Sequence, residues 1–198
     1  ISQIIPNQTW PEDTTQQIDL SQFFSDVDNA SLIFYSDREM LNPTGIIVVI
    51  NGSIATISQS TPDFNGLRNV TFTASDGQFN VSQTVFLNVT PINDAPMMSF
   101  GGPIPNVTWL EDTNITDWAN PMPSFLTFFI IDPDGDNLTF TTIQTPENVT
   151  VLINGSQVTY VPNPNFNGIN NVQFRANDSN GGIFDSNIVV LNVTPVND

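Results

Sequence analysis

The sequence contains no cysteine, no histidine and no lysine, and its only basic residues are three arginines. The missing cysteines exclude disulfides, thiol catalysis and thiolate metal sites. Without His, Cys or Lys the usual pairs of nucleophile and base are also missing. Only carboxylate pairs of the glycosidase kind could still perform catalysis. We therefore expect that the chain is not an enzyme.

Long apolar runs are missing as well. The longest, residues 125–131, has seven residues and includes Thr127, whereas a helix that crosses a bilayer needs about 18. No charged segment followed by an apolar one opens the chain. We expect no direct membrane insertion, and any export signal or anchor would be outside these 198 residues.

Acidic residues, in contrast, are abundant: 20 Asp and Glu against three Arg give a formal net charge of −17. Such a surface repels nucleic acid and anionic lipid, so neither is an expected partner. Carboxylates gathered with so few cations are costly to hold together unless a metal binds among them. A generally acidic surface is the alternative. Fourteen acids fall in or beside recurring motifs: Glu12, Asp13, Asp26, Asp28, Asp63, Asp76, Asp94, Glu111, Asp112, Asp132, Asp134, Asp136, Asp178 and Asp198.

Three motifs occur twice, in the same order. TWPEDT recurs 99 positions later as TWLEDT, PDFNG recurs after 102 positions as PNFNG, and VTPIND recurs after 104 positions as VTPVND. An offset that drifts by a few residues is typical of duplicated domains with small insertions in loops. We expect two domains, residues 1–95 and 96–198, joined by a linker at 91–96. Each has about 100 residues, enough for a core of its own.

Hydrophobic alternation predicts β-strands in both halves. Val70, Phe72 and Ala74 alternate with polar residues, and so do their counterparts in the second half; a period of two indicates a half-buried strand. Residues 46–50 and 54–57 flank Asn-Gly, which predicts a hairpin with a type I′ turn, and residues 149–161 repeat this pattern. No segment shows sustained helical periodicity. The predicted fold is therefore all-β, with one β-sandwich in each half.

The segment Asp132-Pro133-Asp134-Gly135-Asp136 places carboxylates at alternate positions around a glycine, an arrangement that suits Ca²⁺. It is not an EF-hand loop, because the twelfth position is Ile143 instead of Glu. An acidic type I turn is the alternative interpretation. The first half has a reduced version at residues 26–29 (DVDN), and single acids, Asp76 and Asp178, occupy corresponding turns.

These motifs, together with the PNFNG corner and the NDAP linker, resemble the cadherin-like tandem repeats of prokaryotic cell-surface proteins. The resemblance covers nearly the whole chain and implies two Ig-like or cadherin-like sandwiches arranged as a rod, with Ca²⁺ at each junction between domains. The ligands that it implies for the junction between the two domains are Glu12, Asp63, Asn93, Asp94, Asp132, Asp134 and Asp178. Those that it implies for a junction with a neighbouring unit are Asp26, Asp28, Asp76, Glu111, Asn197 and Asp198.

The sequence departs from the cadherin pattern in several places. Pro91 stands where a cadherin linker begins with Asp, and Asp63 becomes Asn165 in the second half. Fewer ligands imply one or two ions at each junction. Trp10 and Trp109 flank the Glu-Asp motif, and we expect them to be packing residues and not adhesive anchors.

Asn-x-Ser/Thr sequons are unusually frequent: the chain has thirteen, where composition alone predicts roughly four or five. An alternation of polar and buried residues along strands could produce some of them. Asparagine is a poor strand former, however, so we expect N-linked glycans and an exported protein. The sequons are at Asn7, Asn29, Asn51, Asn69, Asn80, Asn88, Asn106, Asn114, Asn137, Asn148, Asn154, Asn177 and Asn192.

Together these features predict a structural or adhesive repeat module of a glycosylated extracellular filament or cell-surface protein. It would be rigidified by Ca²⁺ and would continue head-to-tail with further copies of itself, because the linker motif recurs at residues 197–198. A donated strand from residues 1–10 is a second possible route to polymerisation. The alternative function is a carbohydrate-binding or ligand-binding module of a large surface adhesin, with Trp118 as an exposed aromatic.

Overall fold

A computed structural model describes residues 3–28, 31–38, 45–118 and 123–197. The chain forms two compact units, Ile1–Ile92 and Asn93–Asp198. The predicted sequon at Asn29 and the predicted ligand Asp198 are outside the described residues. No helix in the described part of the chain has the length and hydrophobicity needed to span a membrane.

Unit 1 is built from two sheets that enclose one core. Its elements are β1 Gln8–Pro11, β2 Gln16–Asp19, a 3₁₀ turn Leu20–Gln22, β3 Ile33–Ser36, β4 Ile46–Asn51, β5 Ile54–Gln59, β6 Gly66–Ser75 and β7 Asn80–Thr90. The sheet orders are β1-β7-β6-β3 and β2-β5-β4. Strand β1 pairs in parallel with β7 of its own unit, so in this structure it is not a donated strand. The alternation predicted for Val70, Phe72 and Ala74 is confirmed, since all three are buried.

Unit 2 repeats this plan around a second core. Its elements are β8 Met97–Met98, β9 Val107–Leu110, α1 Leu126–Phe129, β10 Ile130–Ile131, β11 Thr139–Gln144, β12 Val149–Asn154, β13 Gln157–Pro162, β14 Gly168–Asn177, β15 Ile183–Asp185 and β16 Val189–Thr194. Its main sheet has the order β11-β14-β16-β9 with β15 beside β14, and β9 pairs in parallel with β16, as β1 does with β7. The all-β prediction is confirmed, although the apolar run 125–131 contains an unpredicted helical turn, α1.

The two predicted hairpins are present, but their turn type was wrong. Asn51 pairs with Ile54, so the turn consists of Gly52 and Ser53. Only Gly52 has a positive φ, of 61°. A type I′ turn needs positive φ at both central residues, whereas type II′ needs it only at the first, so this is a type II′ turn. Gly155 repeats this geometry with a φ of 60°.

The repeated acidic motifs contain residues in the left-handed region. Asp13 and its counterpart Asp112 have φ values of 60° and 57°, and Asp63 and its counterpart Asn165 have values of 58° and 54°. Asp and Asn tolerate this conformation better than other non-glycine residues. The exchange of Asp63 for Asn165 thus keeps the backbone requirement while it removes the charge.

All three tryptophans are buried. Trp10 and Trp109 are 4% and 7% exposed, which confirms their predicted packing role. Trp118 is only 6% exposed, and its indole N–H donates to the Val158 carbonyl at 3.0 Å. The prediction of Trp118 as an exposed aromatic was therefore wrong, because its ring packs against Phe129 in the core of unit 2.

Candidate metal centre

Three carboxylates of unit 2 converge. Asp132, Asp136 and Asp178 each offer an oxygen, and these oxygens all lie within 4.8 Å of one another. The first two residues belong to the loop after β10, and Asp178 follows β14. Carboxylate oxygens in such a group are the ligands that hard divalent cations prefer.

The loop after β10 is a tight turn in which backbone N–H groups donate to the Asp132 side chain. The N–H of Gly135 donates to the Asp132 carbonyl at 3.2 Å, with proline following Asp132 as a type I turn favours. Asp132 Oδ1 accepts the N–H groups of Asp134 and Asp136 at 2.9 and 3.1 Å. Its Oδ2 is buried and has no hydrogen-bond partner among the described residues. A buried, unpaired carboxylate oxygen is costly, and a cation would satisfy it.

Asp178 is buried and held by backbone donors. Its Oδ1 accepts the N–H groups of Asn180, Gly181 and Gly182 at 2.7, 3.0 and 2.9 Å. Asn93 Nδ2 donates to Oδ2 at 2.8 Å. This amide, followed by the backbone donors, lowers the pKa of Asp178 below its usual value despite the opposing effect of burial. The side chain is therefore an anion at neutral pH.

Asp134 engages the beginning of unit 2 instead of the three-carboxylate group. Its Oδ2 accepts the N–H of Asp94 at 2.7 Å. The Asn93-Asp94 segment is consequently attached to both acidic loops, through a side-chain amide to Asp178 and through a backbone amide to Asp134. The predicted ligand set included Asp134 but not Asp136, which is the third alternate carboxylate of the same motif. The metal-binding role of Asp134 stays a prediction.

Gly182 lies so close to Asp178 and Ala95 that no side chain fits at its position. A Cβ at this position would overlap Asp178 Oδ2 and would lie 2.7 Å from Ala95 Cα. The φ of Gly182 is not in the left-handed region, so space and not backbone conformation requires glycine here. Motif spacing alone could not have identified this residue.

The sequence profile described as "Bacterial Ig domain" matches residues 93–194, more than half of the chain. The chain belongs to the bacterial Ig domain family. No curated protein matches its sequence.

Solved structures place this bacterial Ig domain chain among Ig-like and cadherin-like folds. Human protocadherin-24 EC1-2 (form II) is 18% identical, with a TM-score of 0.52 over 97% of this chain and 94% of that one. An endo-fucoidan hydrolase from glycoside hydrolase family 107 is also 18% identical, with a TM-score of 0.37 over 98% of this chain. This chain spans only 28% of the length of that hydrolase. At these identities the likeness to protocadherin-24 establishes the fold alone.

In unit 1 of the bacterial Ig chain the acidic turns are conserved in geometry. Asp26 Oδ1 accepts the N–H of Asp28 at 2.8 Å, as Asp132 does in unit 2. Asp76 Oδ1 accepts the N–H groups of Phe79 and Gln78 at 2.6 and 2.7 Å, and these donors, that of Phe79 first, lower the pKa of Asp76. Asp26 and Asp76 line one depression of about 190 Å³.

Glu12 and Glu111 have partners inside their own units. Glu12 is fully buried; its Oε1 accepts the N–H of Ile92 at 2.7 Å and its Oε2 accepts Asn65 Nδ2 at 3.3 Å. Glu111 repeats both bonds, with the N–H of Val196 at 2.7 Å and Asn167 Nδ2 at 3.2 Å. Each glutamate thus fixes the chain just after the last strand of its unit, a role that the repeated motif did not indicate.

The remaining predicted residues are at the surface or partly buried. Asp63 is half-buried and Asn197 is exposed, and their metal-binding role stays a prediction. Twelve sequon asparagines fall in the described ranges, and all twelve are exposed or half-buried. Asn51 and Asn154 end the strands that lead into the hairpin turns.

Proposed function

We propose that this chain is a structural or adhesive module of a glycosylated extracellular filament or cell-surface protein, and that Ca²⁺ binds at Asp132, Asp136 and Asp178. The observation that supports it best is the attachment of Asn93 to a buried Asp178 beside the unpaired Asp132 Oδ2. Such an arrangement joins the first residues of unit 2 to a group of carboxylates of the same unit.

Calcium would act here through charge alone. Three carboxylates with oxygens within 4.8 Å of one another repel. A divalent cation replaces that repulsion by attraction to the oxygens that it shares. Because Asn93 and Asp94 hydrogen-bond to the same acidic loops, a bound ion would also restrain the segment that enters unit 2. The contributions of Glu12 and Asp63 stay predictions.

The proposed head-to-tail continuation is supported by a comparison within the chain. Asp26 and Asp76 of unit 1 correspond to Asp132 and Asp178, and they line a depression. In unit 2, Asp178 accepts a hydrogen bond from Asn93, and Asp134 accepts one from Asp94. An Asn-Asp segment recurs at residues 197–198. An Asn-Asp segment of another copy bound at this depression would join two different surfaces, and such contacts extend into fibres.

Titration calorimetry with Ca²⁺, and Tb³⁺ luminescence as a second probe, would test the metal proposal. Wild type is expected to bind, and Asp178→Asn, which removes one charge and keeps an acceptor, is expected to weaken binding strongly. Asp185→Asn is the matched control, because Asp185 is exposed and bonded to Arg175 at 2.7 Å. The absence of saturable binding to wild type at millimolar Ca²⁺ would refute the proposal. Electron microscopy with and without Ca²⁺ tests filament formation separately.

A further inference from the structure

Two large apolar side chains are exposed to solvent on the outer face of the four-stranded sheet of unit 1. Leu67 on β6 is 71% exposed and Phe86 on β7 is 60% exposed. Together with Arg68 and Asn69 they line a shallow depression of about 290 Å³. Nothing in the cores of the two units requires these side chains to be apolar, since both point away from them.

Each of the two apolar residues is directly opposite a sequon asparagine. In the antiparallel register Leu67 pairs with Asn88, and Phe86 pairs with Asn69. Residues paired in this way point to the same side of a sheet with Cβ atoms about 5 Å apart. The four side chains therefore form one small patch in which apolar residues and sequon asparagines alternate.

The same pairing recurs elsewhere in the chain. Seven described sequon asparagines are in strands, and five of them are opposite a large apolar residue that is at least 36% exposed. The association is therefore not confined to one face. The five pairs are Asn51 with Ile54, Asn69 with Phe86, Asn88 with Leu67, Asn177 with Ile183 and Asn192 with Ile169.

The duplication supplies a natural comparison. Ile169 and Asn192 in unit 2 keep the Leu67 and Asn88 pair, with Ile169 70% exposed. At the counterpart of the other pair, Val190 replaces Phe86 and is opposite Asn171. Asn171 is followed by Val-Gln and is not a sequon. At these two positions the sequon is lost where the large exposed side chain is lost, and retained where it is retained. The sequon at Asn154, the counterpart of Asn51, is retained opposite the polar Gln157.

We propose that N-linked glycans on Asn69 and Asn88 pack their first sugar against Phe86 and Leu67, so that sugar, and not a protein partner, covers this face. This rests on the proposed glycosylation. A pyranose ring has a face of C–H groups that fits an apolar or aromatic side chain. Contact with the sugar removes apolar surface of the side chain from water, which is favourable. An uncovered apolar patch instead promotes association with other molecules.

The modification itself requires a lipid-linked oligosaccharide donor. The asparagine Nδ2 forms a bond to the anomeric carbon, the bond from that carbon to the lipid phosphate breaks, and one amide proton leaves with the phosphate. Oδ1 remains an acceptor. The half-buried Asn88 and the exposed Asn69 are both accessible to such a donor before or after folding.

The test uses the full chain produced in N-glycosylating cells. Peptide mass spectrometry first measures occupancy at Asn69, Asn88 and Asn154. In NMR spectra of ¹³C-labelled glycans, the first sugar on Asn69 is expected to show upfield ring-proton shifts that vanish in Phe86→Leu. The sugar on Asn154 serves as control, because Asn154 is opposite the polar Gln157.

Unfolding in urea gives a second readout. Asn88→Gln is expected to lower the folded-to-unfolded ratio by about fivefold, the size of a good cross-strand contact, but to have little effect when Leu67 is already Thr. Asn154→Gln should leave the ratio unchanged. A chain without sugar at Asn69 and Asn88 overturns the inference together with the glycoprotein claim at these sites. If both sites carry sugar but the sugar signals are unshifted, and the effect of Asn88→Gln on stability does not depend on Leu67, the packing alone is overturned. Saturable dimerisation through this face would overturn the packing as well.

Discussion

Asn93 Nδ2 donates a hydrogen bond of 2.8 Å to Oδ2 of Asp178, which lies 85 residues further along the chain. The bond fixes the first residue of unit 2 to a buried carboxylate of the candidate metal centre. We expect Asn93→Ala to lower Ca²⁺ affinity by about tenfold, because partners that orient a metal ligand typically contribute this much. Calorimetry would measure it.

The matched control for this change is Asn180→Ala. Asn180 also donates its amide to a carboxylate of the group, Asp136 Oδ2, but it is exposed. Loss of the Asn180 side chain should therefore lower Ca²⁺ affinity less than loss of the Asn93 side chain does. Equal losses in the two variants would show that the bond to Asp178 has no special role.

Gly182→Ala tests the close approach of Asp178 and Ala95. The added Cβ overlaps the carboxylate and the backbone of Ala95, so we expect a loss of about 1 to 3 kcal/mol in the stability of unit 2, together with weaker Ca²⁺ binding. Gly155→Ala is the control. Gly155 has a φ of 60° and open space around it, so its replacement strains the backbone but should leave metal affinity unchanged. Unaltered Ca²⁺ binding by Gly182→Ala would contradict the assigned contact.

Glu12→Gln and Glu111→Gln test the buried glutamates. Glutamine keeps one acceptor for the N–H of Ile92 or Val196, but its amide then faces the donor Nδ2 of Asn65 or Asn167. Since hydrogen bonds to charged groups contribute about 1.5 to 3 kcal/mol, we expect each change to destabilise its own unit by roughly 2 kcal/mol in urea unfolding. Glu147→Gln, at an exposed position, should have no such effect. If Glu12→Gln behaves like this control, the glutamate does not fix the strand end.

Sequence patterns predicted the cores well because burial in a strand has a period of two. Val172, Phe174 and Ala176, the counterparts of Val70, Phe72 and Ala74, are buried as their alternation predicts. Helix α1 was missed because four residues are too few to show a 3.6-residue period. The hairpin turn was placed one residue early, because the first strand of each hairpin extends through its asparagine and leaves Gly-Ser as the turn.

The sequence predicted a group of carboxylates but not which of its members lie together. Alternate aspartates predicted a cation-binding loop, and the structure brings Asp132 and Asp136 to Asp178. Asp134 is instead bonded to the N–H of Asp94, 40 positions earlier, and local spacing contains no information on such a partner. Likewise, the repeated Glu-Asp-Thr motif identified Glu12 as important but could not show that its oxygens bind the end of its own unit.

The lowered pKa of Asp76 predicts how the stability of unit 1 changes with pH. Hydrogen bonds from the N–H groups of Phe79 and Gln78 lower its pKa in the folded state. A depressed pKa means that the ionised form stabilises unit 1 above the ordinary Asp pKa of about 3.9, and that this contribution is lost as the pH falls through the folded value. We expect ¹³C carboxyl titration to place the Asp76 midpoint below that of an unfolded peptide. Between about pH 5 and about pH 3, Asp76→Asn should therefore lose less of the stability of unit 1 than wild type does. The reason is that Asn retains the acceptor oxygen but cannot titrate. If the two proteins lose stability in parallel as the pH falls, the turn does not favour the Asp76 anion. An Asp76 midpoint equal to that of the unfolded peptide would show the same.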